Sequence, residues 1–189
     1  RLRSRGQMAP LLGKTRFSYA LWLIRERRRA PAHVAADELP PIVALVMAGD
    51  NPQDIQTTMQ SLSAAHVAAH IIKSEDPAEL VQATQAMDWT CNPWFMVVDA
   101  GDQVAPDLVS AYHSAIVGTS SNLAYADDDM ISVTGKRSEP YFKPDWNGEL
   151  LIHHDYLSEA CICRLNREQV MALSRTPDWP IHMVRQSMV

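Results

Sequence analysis

At 189 residues and 47% hydrophobic content, the chain is long enough to build one domain around a core. Its net charge of -5 conceals an uneven spread: residues 1–30 carry nine Lys/Arg against Glu26 alone, a net of +8, which leaves -13 on the remainder. That acidic body argues against nucleic-acid binding, the three cysteines follow no zinc or disulfide-framework spacing and fit a reducing compartment, and no apolar run of about 18 residues is present to span a membrane.

The elements then follow in chain order. Residues 15–29, TRFSYALWLIRERRR, place Phe17, Leu21 and Ile24 at helical spacing, with Tyr19, Trp22 and Leu23 broadening the face and a basic end suited to a helix C-terminus. No apolar h-region with a small-residue cleavage site marks a signal peptide. A Pro-rich stretch to residue 40 reads as a linker, so the expected division is a basic helix and linker over 1–40 and a domain over 41–189. Ile42 to Met47 is a continuous apolar run, the pattern of a strand buried on both faces. The turn Ala48–Pro52 leads to a helix carrying Ile55, Met59 and Leu62 on one side. A second strand is expected over 67–72, and a second helix begins with Asp76 as N-cap and Pro77 at the first helical position. Residues 94–98 form the next strand, followed by an acidic loop and a helix with Leu108, Tyr112 and Ala115 facing a core and Gly118 ending it. Beyond lie a strand, an acid cluster, a second short strand and a Thr-Gly turn (122–137), an extended proline-broken segment (138–146), a short helix, a strand around 157–163 that puts Cys161 and Cys163 on one face, and a helix from about Asn166. The last stretch, 174–189, shows no clear pattern. Strands alternating with helices over 41–118 imply an α/β fold with a mostly parallel sheet flanked by helices, which binds ligands at the carboxyl ends of its strands. Asp50, Asp99 and Asp102 are all expected at such ends.

Those positions define the candidate chemistry. A divalent ion bound to a nucleotide diphosphate takes one or two carboxylates, with phosphates and waters completing its shell. Asp99-x-x-Asp102 fits that need, but from spacing alone it more often marks a turn former or helix cap. In YADDDMI, Asp127, Asp128 and Asp129 repel one another unless a cation neutralises them. Lys136, Arg137 and Lys143 lie close enough in sequence to do so. His153, His154 and Asp155 alternate across faces if extended, so they do not converge by themselves.

A longer motif gives these residues a setting. The stretch YADDDMISVTGKRSEPYFKPDWNGELLIHHDYLSEACICRLN resembles a block of bacterial family 2 glycosyltransferases of the O-antigen and rhamnosyl transferase group. The matching positions are Tyr125, Asp127, Asp129, Gly135, Pro140, Phe142, Lys143, Pro144, Asp145, Trp146, Leu150, Leu151, Tyr156 and Arg164. Upstream, WFMVVDAGDQVAPDL is similar to the strand and acidic loop of that family, and PIVALVMAGDNP to its first strand. The resemblance implies a GT-A, Rossmann-like fold, a nucleotide-sugar donor, and Mn²⁺ or Mg²⁺ near Asp99 and Asp102. It also implies inverting transfer to a glycan or lipid-linked acceptor in polysaccharide biosynthesis. Asp50, Asp99 and Asp102 fall on the donor side; Asp127, Asp129, Lys143, Asp145 and Trp146 fall on the sugar or acceptor side. The expected setting is cytoplasmic, with peripheral contact at the inner face of the membrane through the basic N-terminus.

The departures are equally specific. The second acid of the metal motif falls on Gly101, and either Asp102 reaches in or it caps the following helix. Ala48-Gly49-Asp50 stands where the family has Pro-Val-Tyr, and the interval from Ile42 to Asp99 is short by about one βα unit. No segment supplies the family's catalytic base, so the catalytic residue stays unassigned and the chain reads as shortened. The alternative function is a catalytically degenerate domain of this fold that acts as a binding or interaction module.

Overall fold

The computed structural model describes residues 18–26, 39–73, 77–176 and 178–188. The expected Asp76 cap, Phe17 and the basic run 27–29 lie outside them. The chain divides into two compact units: one holds the N-terminal helix and residues 127–146, the other residues 32–126 and 147–189.

The larger unit is built on a five-stranded sheet. Its strands are β1 (Ile42–Met47), β2 (Ala68–Ile72), β3 (Trp94–Asp99), β4 (Leu123–Tyr125) and β7 (Cys161–Arg164), in the order β2-β1-β3-β7-β4. β1 pairs in parallel with both β2 and β3, while β7 runs against β3 and against β4. Four strands therefore point one way and β7 the other, which gives the mostly parallel α/β sheet expected from the alternating pattern.

Both faces of this sheet are covered, as the unbroken apolar runs of β1 and β3 require. Val43, Leu45 and Phe95 point to one side, where they meet Leu80 of α3 (Pro77–Ala86), Leu151 of α5 (Gly148–His153), Val170 and Leu173 of α6 (Arg167–Leu173), and Trp179 and Met183 of α7 (Trp179–Gln186). Ala44, Val46, Met96 and Val98 point to the other, against Leu62 of α2 (Pro52–Ala64) and Leu108, Tyr112 and Ile116 of α4 (Leu108–Ile116). Cys161 and Cys163 share the first face as expected, buried and unbridged with Sγ atoms 3.9 Å apart.

Local chemistry sets the helix ends. The Asn51 side chain accepts a hydrogen bond from the Gln53 N–H at 3.1 Å, and Pro52 occupies the first turn of α2, where a missing N–H costs nothing. Asn166 and Gln169 form a reciprocal capping box on α6. Three expectations need correction. Ile55 lies outside the core, and the buried companion of Leu62 on α2 is Thr58, four residues earlier. In α4, Ala115 is exposed and Ile116 takes its place. The patternless C-terminal stretch contains α7, whose Trp179 and Met183 lie one turn apart and fully buried. Pro180 reads as a breaker in the sequence but falls in the first turn, where proline is tolerated.

The smaller unit holds α1 (Ser18–Glu26) and a two-stranded antiparallel ribbon, β5 (Asp128–Ile131) with β6 (Arg137–Tyr141). Trp22 of α1 meets the Phe142 ring edge-on, centroids 5.5 Å apart, and Tyr19 stacks on Trp22. Leu21 and Ile24, expected on the packed face, are exposed instead. Aromatic partners on the adjacent side of α1 win the contact. Pro140 sits in β6, which pairs on one side only and so tolerates a residue without an N–H. No helix among the described residues is long and apolar enough to cross a membrane.

Candidate functional site

In the larger unit the chain goes from β1 through α2 to β2 on one side, then returns to lay β3 on the other side of β1. The helices after β1 and β2 cover opposite faces. This reversal makes the carboxyl edge between β1 and β3 a switch point, the place where open α/β sheets leave a crevice for ligands. Met47 and Asp99 are register partners there, and the Ala100 N–H extends the ladder to the Met47 carbonyl at 2.9 Å. Asp99 thus closes β3, while Asp50 lies in the turn just past β1, and both are exposed.

The loop after β3 has a fixed shape. The Asp102 N–H donates to the Asp99 carbonyl at 3.1 Å, closing a four-residue turn with Gly101 third at φ +107°. Type II turns demand a positive φ there, hence glycine. Thr58, fully buried on α2, holds the turn from beneath: its hydroxyl accepts from the Gly101 N–H at 2.9 Å and donates to the Asp102 carbonyl at 2.8 Å. One turn further along α2, the Ser61 hydroxyl accepts from the Val104 N–H at 3.2 Å. A single helix therefore fixes loop 99–104 through two hydroxyls. Sequence reading passes over Thr58; the available signal was a lone hydroxyl at core spacing from Leu62.

Asp102 does not cap the next helix, because the N-cap position of α4 belongs to Asp107. A Cβ built on Gly101 would lie 3.8 Å from the carboxyl carbon of Asp54, in the first turn of α2. The Asp54 carboxylate thus lies beside the loop at Gly101. Among the described residues, the carboxylates of Asp50, Asp54 and Asp99 have no hydrogen-bond or ion-pair partner. Unneutralised hard oxygens of this kind suit a divalent cation that takes most of its ligands from phosphates. They do not form a cage by themselves: among the described residues no group of three or more His, Cys, Asp or Glu is gathered to hold an ion.

The smaller unit gathers Asp127, Asp129 and Lys143. The Asp127 carboxylate accepts from the Lys143 backbone N–H at 2.8 Å, and Arg137 bonds Asp129 at 2.6 Å. The Lys143 ammonium, with its side chain only 1% exposed, lies 2.9 Å from Asp128. That last contact is a charge pair, and neither atom makes a hydrogen bond. Asp145 and Trp146 are exposed. In the larger unit, Tyr156 accepts from the Asn147 N–H at 3.0 Å and meets Tyr125 edge-on, so two further motif positions serve packing. A polar pit of about 220 Å³, lined by Asn92, Asn122, Arg164, Asn166, Gln169 and Gln186, opens near the amino end of β3, away from the acids. It is smaller than the ~300 Å³ at which organic-ligand pockets usually begin.

No protein-family model matches the chain. Over 96 residues, 50% of this chain, it is 27% identical to the O-antigen biosynthesis protein RfbC of Myxococcus xanthus, and the match covers 8% of that protein. It is similar, distantly, to a protein of O-antigen biosynthesis. A second match, 26% over 107 residues, is to the uncharacterized protein y4gI of Sinorhizobium fredii, covering 56% of this chain and 12% of the relative. The matched segments thus span about a tenth of the length of the curated relatives.

Proposed function

We propose that the chain is a glycosyltransferase domain that binds a nucleotide-sugar donor at the carboxyl edge between β1 and β3 and serves the synthesis of a polysaccharide such as O-antigen. One observation carries this reading: unpartnered acids, Asp50 and Asp99, stand at the switch point of the sheet, with Asp54 beside the loop that Thr58 holds. The distant likeness to an O-antigen biosynthesis protein supports the substrate class. A Mn²⁺ or Mg²⁺ ion accompanying the donor would be held by Asp99 with Asp102 or Asp54, and would neutralise charge on the diphosphate. The chain's own contribution is positional. The Thr58 and Ser61 hydroxyls keep loop 99–104 rigid, so that Asp99 meets the donor without reordering. Transfer would proceed with inversion, from the donor to a glycan or lipid-linked hydroxyl.

Gly101 favours a second reading, a domain that keeps the donor site without turnover, because a lost carboxylate removes electrostatic stabilisation from the transfer. Calorimetric titration with UDP, dTDP and GDP in the presence of Mn²⁺ tests the shared claim. At least one should bind, and Asp99→Asn should weaken it by about tenfold, equivalent to 1.4 kcal/mol. The absence of metal-dependent heat with all three refutes donor binding. Sugar release or transfer, followed by product analysis, then separates enzyme from binder.

A further inference from the structure

The polar pit near the amino end of β3 carries an excess of hydrogen-bond donors. Arg164 closes β7 opposite Trp94, the first residue of β3, so it lies at the far end of that strand from Asp99. It lines the pit, and among the described residues its guanidinium has no ion-pair or hydrogen-bond partner. The capping box of α6 turns two more side chains into donors. Asn166 Oδ1 accepts from the Gln169 N–H at 2.8 Å and Gln169 Oε1 accepts from the Asn166 N–H at 2.9 Å, so each amide keeps its NH2 group free. Gln186, the last residue of α7, has its Oε1 enclosed by the protein without a partner, which leaves the NH2 as the open end of that amide.

Backbone acceptors around the pit are already occupied. The Asn122 carbonyl takes the Arg164 N–H at 2.8 Å. At the end of α7 the Ser187 N–H donates to the Met183 carbonyl at 3.1 Å, and the Ser187 hydroxyl to the Val184 carbonyl at 2.7 Å. Asn92 and Asn122 complete the lining with exposed amides that can turn either end to a ligand. No Asp or Glu lines the pit, although the whole chain bears a net charge of -5. A guanidinium and amide NH2 groups with no carboxylate among them call for a ligand rich in acceptors and negative in charge. The donors come from three elements: the end of β7, the start of α6 and the end of α7. Donors from separate sides suit a tetrahedral anion, whose oxygens point in all directions, better than a planar carboxylate. The cavity of about 220 Å³ has room for one such group with a small substituent.

We propose that this pit binds a phosphoryl group, as free phosphate or as the head of a small phosphate monoester, with Arg164 as its charge partner and the NH2 groups of Asn166, Gln169 and Gln186 as further donors. Binding there needs neither the acids of the β1–β3 edge nor a metal, so it stands or falls apart from the donor-site reading. The test is calorimetric titration of the full chain with inorganic phosphate, glycerol phosphate and acetate, with EDTA present to remove divalent ions. Phosphate or its ester should bind saturably at one site, and acetate far more weakly; the tighter of the first two identifies the free or the esterified form as the natural ligand. Arg164→Met keeps the stem of an exposed side chain and should weaken binding by about tenfold or more, the worth of one charge-assisted hydrogen bond. Absence of saturable binding at millimolar concentrations of both phosphates overturns the proposal. Binding at full strength in Arg164→Met marks an adventitious ion only and overturns it too, as does acetate bound as tightly as phosphate. If the variant misfolds, NMR of the unmodified chain gives the answer directly. The side-chain NH2 signals of Asn166, Gln169 and Gln186 should move as phosphate is added, and unmoved signals refute the site.

Discussion

The molecule holds two groups of acids that look alike in sequence and differ in situation. Asp127, Asp128 and Asp129 are adjacent, and the ribbon they belong to supplies a counter-group for each: the Lys143 N–H, the Lys143 ammonium and the Arg137 guanidinium. Asp50 and Asp54 come from the β1–α2 junction and Asp99 from the end of β3, and among the described residues none has a partner. Density of charge in sequence is therefore a poor guide to availability. A run of acids on a short ribbon with lysine and arginine nearby neutralises itself. Acids delivered by different parts of the chain to one sheet edge are left without a counter-group.

The largest expected effect tests that contrast on stability. Lys143→Met strands Asp128, whose side chain is 31% exposed, beside an apolar chain; urea unfolding should lose about 2 kcal/mol, below the full cost of breaking a buried pair because Asp128 is partly hydrated. Asp99→Asn, made in parallel, should change stability by less than about 0.5 kcal/mol. The reverse ranking would erase the distinction between the groups.

A second substitution sharpens the edge itself. Thr58→Val keeps the shape of the side chain and removes the hydroxyl, leaving the Gly101 N–H without its acceptor. The expected loss is about 1–2 kcal/mol, with faster amide exchange at Gly101, and Thr58→Ser should restore both. Full protection of that amide in the valine variant would show that the loop does not depend on α2.

The smallest effect concerns a paired acid of the larger unit. Asp88 accepts from the Thr90 hydroxyl at 2.6 Å and from the Thr90 N–H at 2.9 Å; the hydroxyl, then the backbone bond, hold its carboxyl below the ordinary value. A pKa lower in the folded state means that the contribution to stability is complete above the ordinary carboxylate range. It fades as pH falls through the folded value. Thr90→Ala should raise the Asp88 pKa in an NMR titration, and an unmoved pKa would locate its cause elsewhere.

Much of the fold is legible because its signals are local. The apolar runs 42–47 and 94–98 read as doubly buried strands and are. Pro52, Pro77 and Asn166 mark helix starts where sequence rules place them. α7 was hidden because Pro180 and a left-handed Asp178 resemble a loop, and only burial of Trp179 and Met183 against the sheet makes the helix worthwhile. The site is legible in outline, since Asp50 and Asp99 follow strands, but not in its supports. Thr58 lies 43 residues from Gly101, and Asp54 lies 47 before it; proximity at such separations comes from the β1–β3 pairing, which no local pattern encodes.

The φ of +107° at Gly101 also constrains how the loop could change. An aspartate there would complete the acidic motif in sequence, yet an L-residue resists that backbone angle, and its carboxylate would arrive beside Asp54. Placing an acid at this position is thus not a one-step change. The turn would have to relax first, releasing the Thr58 hydroxyl, and Asp54 would have to yield or lose its charge. Substitutions separately unfavourable would need to arrive together, a barrier in sequence space set by a single dihedral angle.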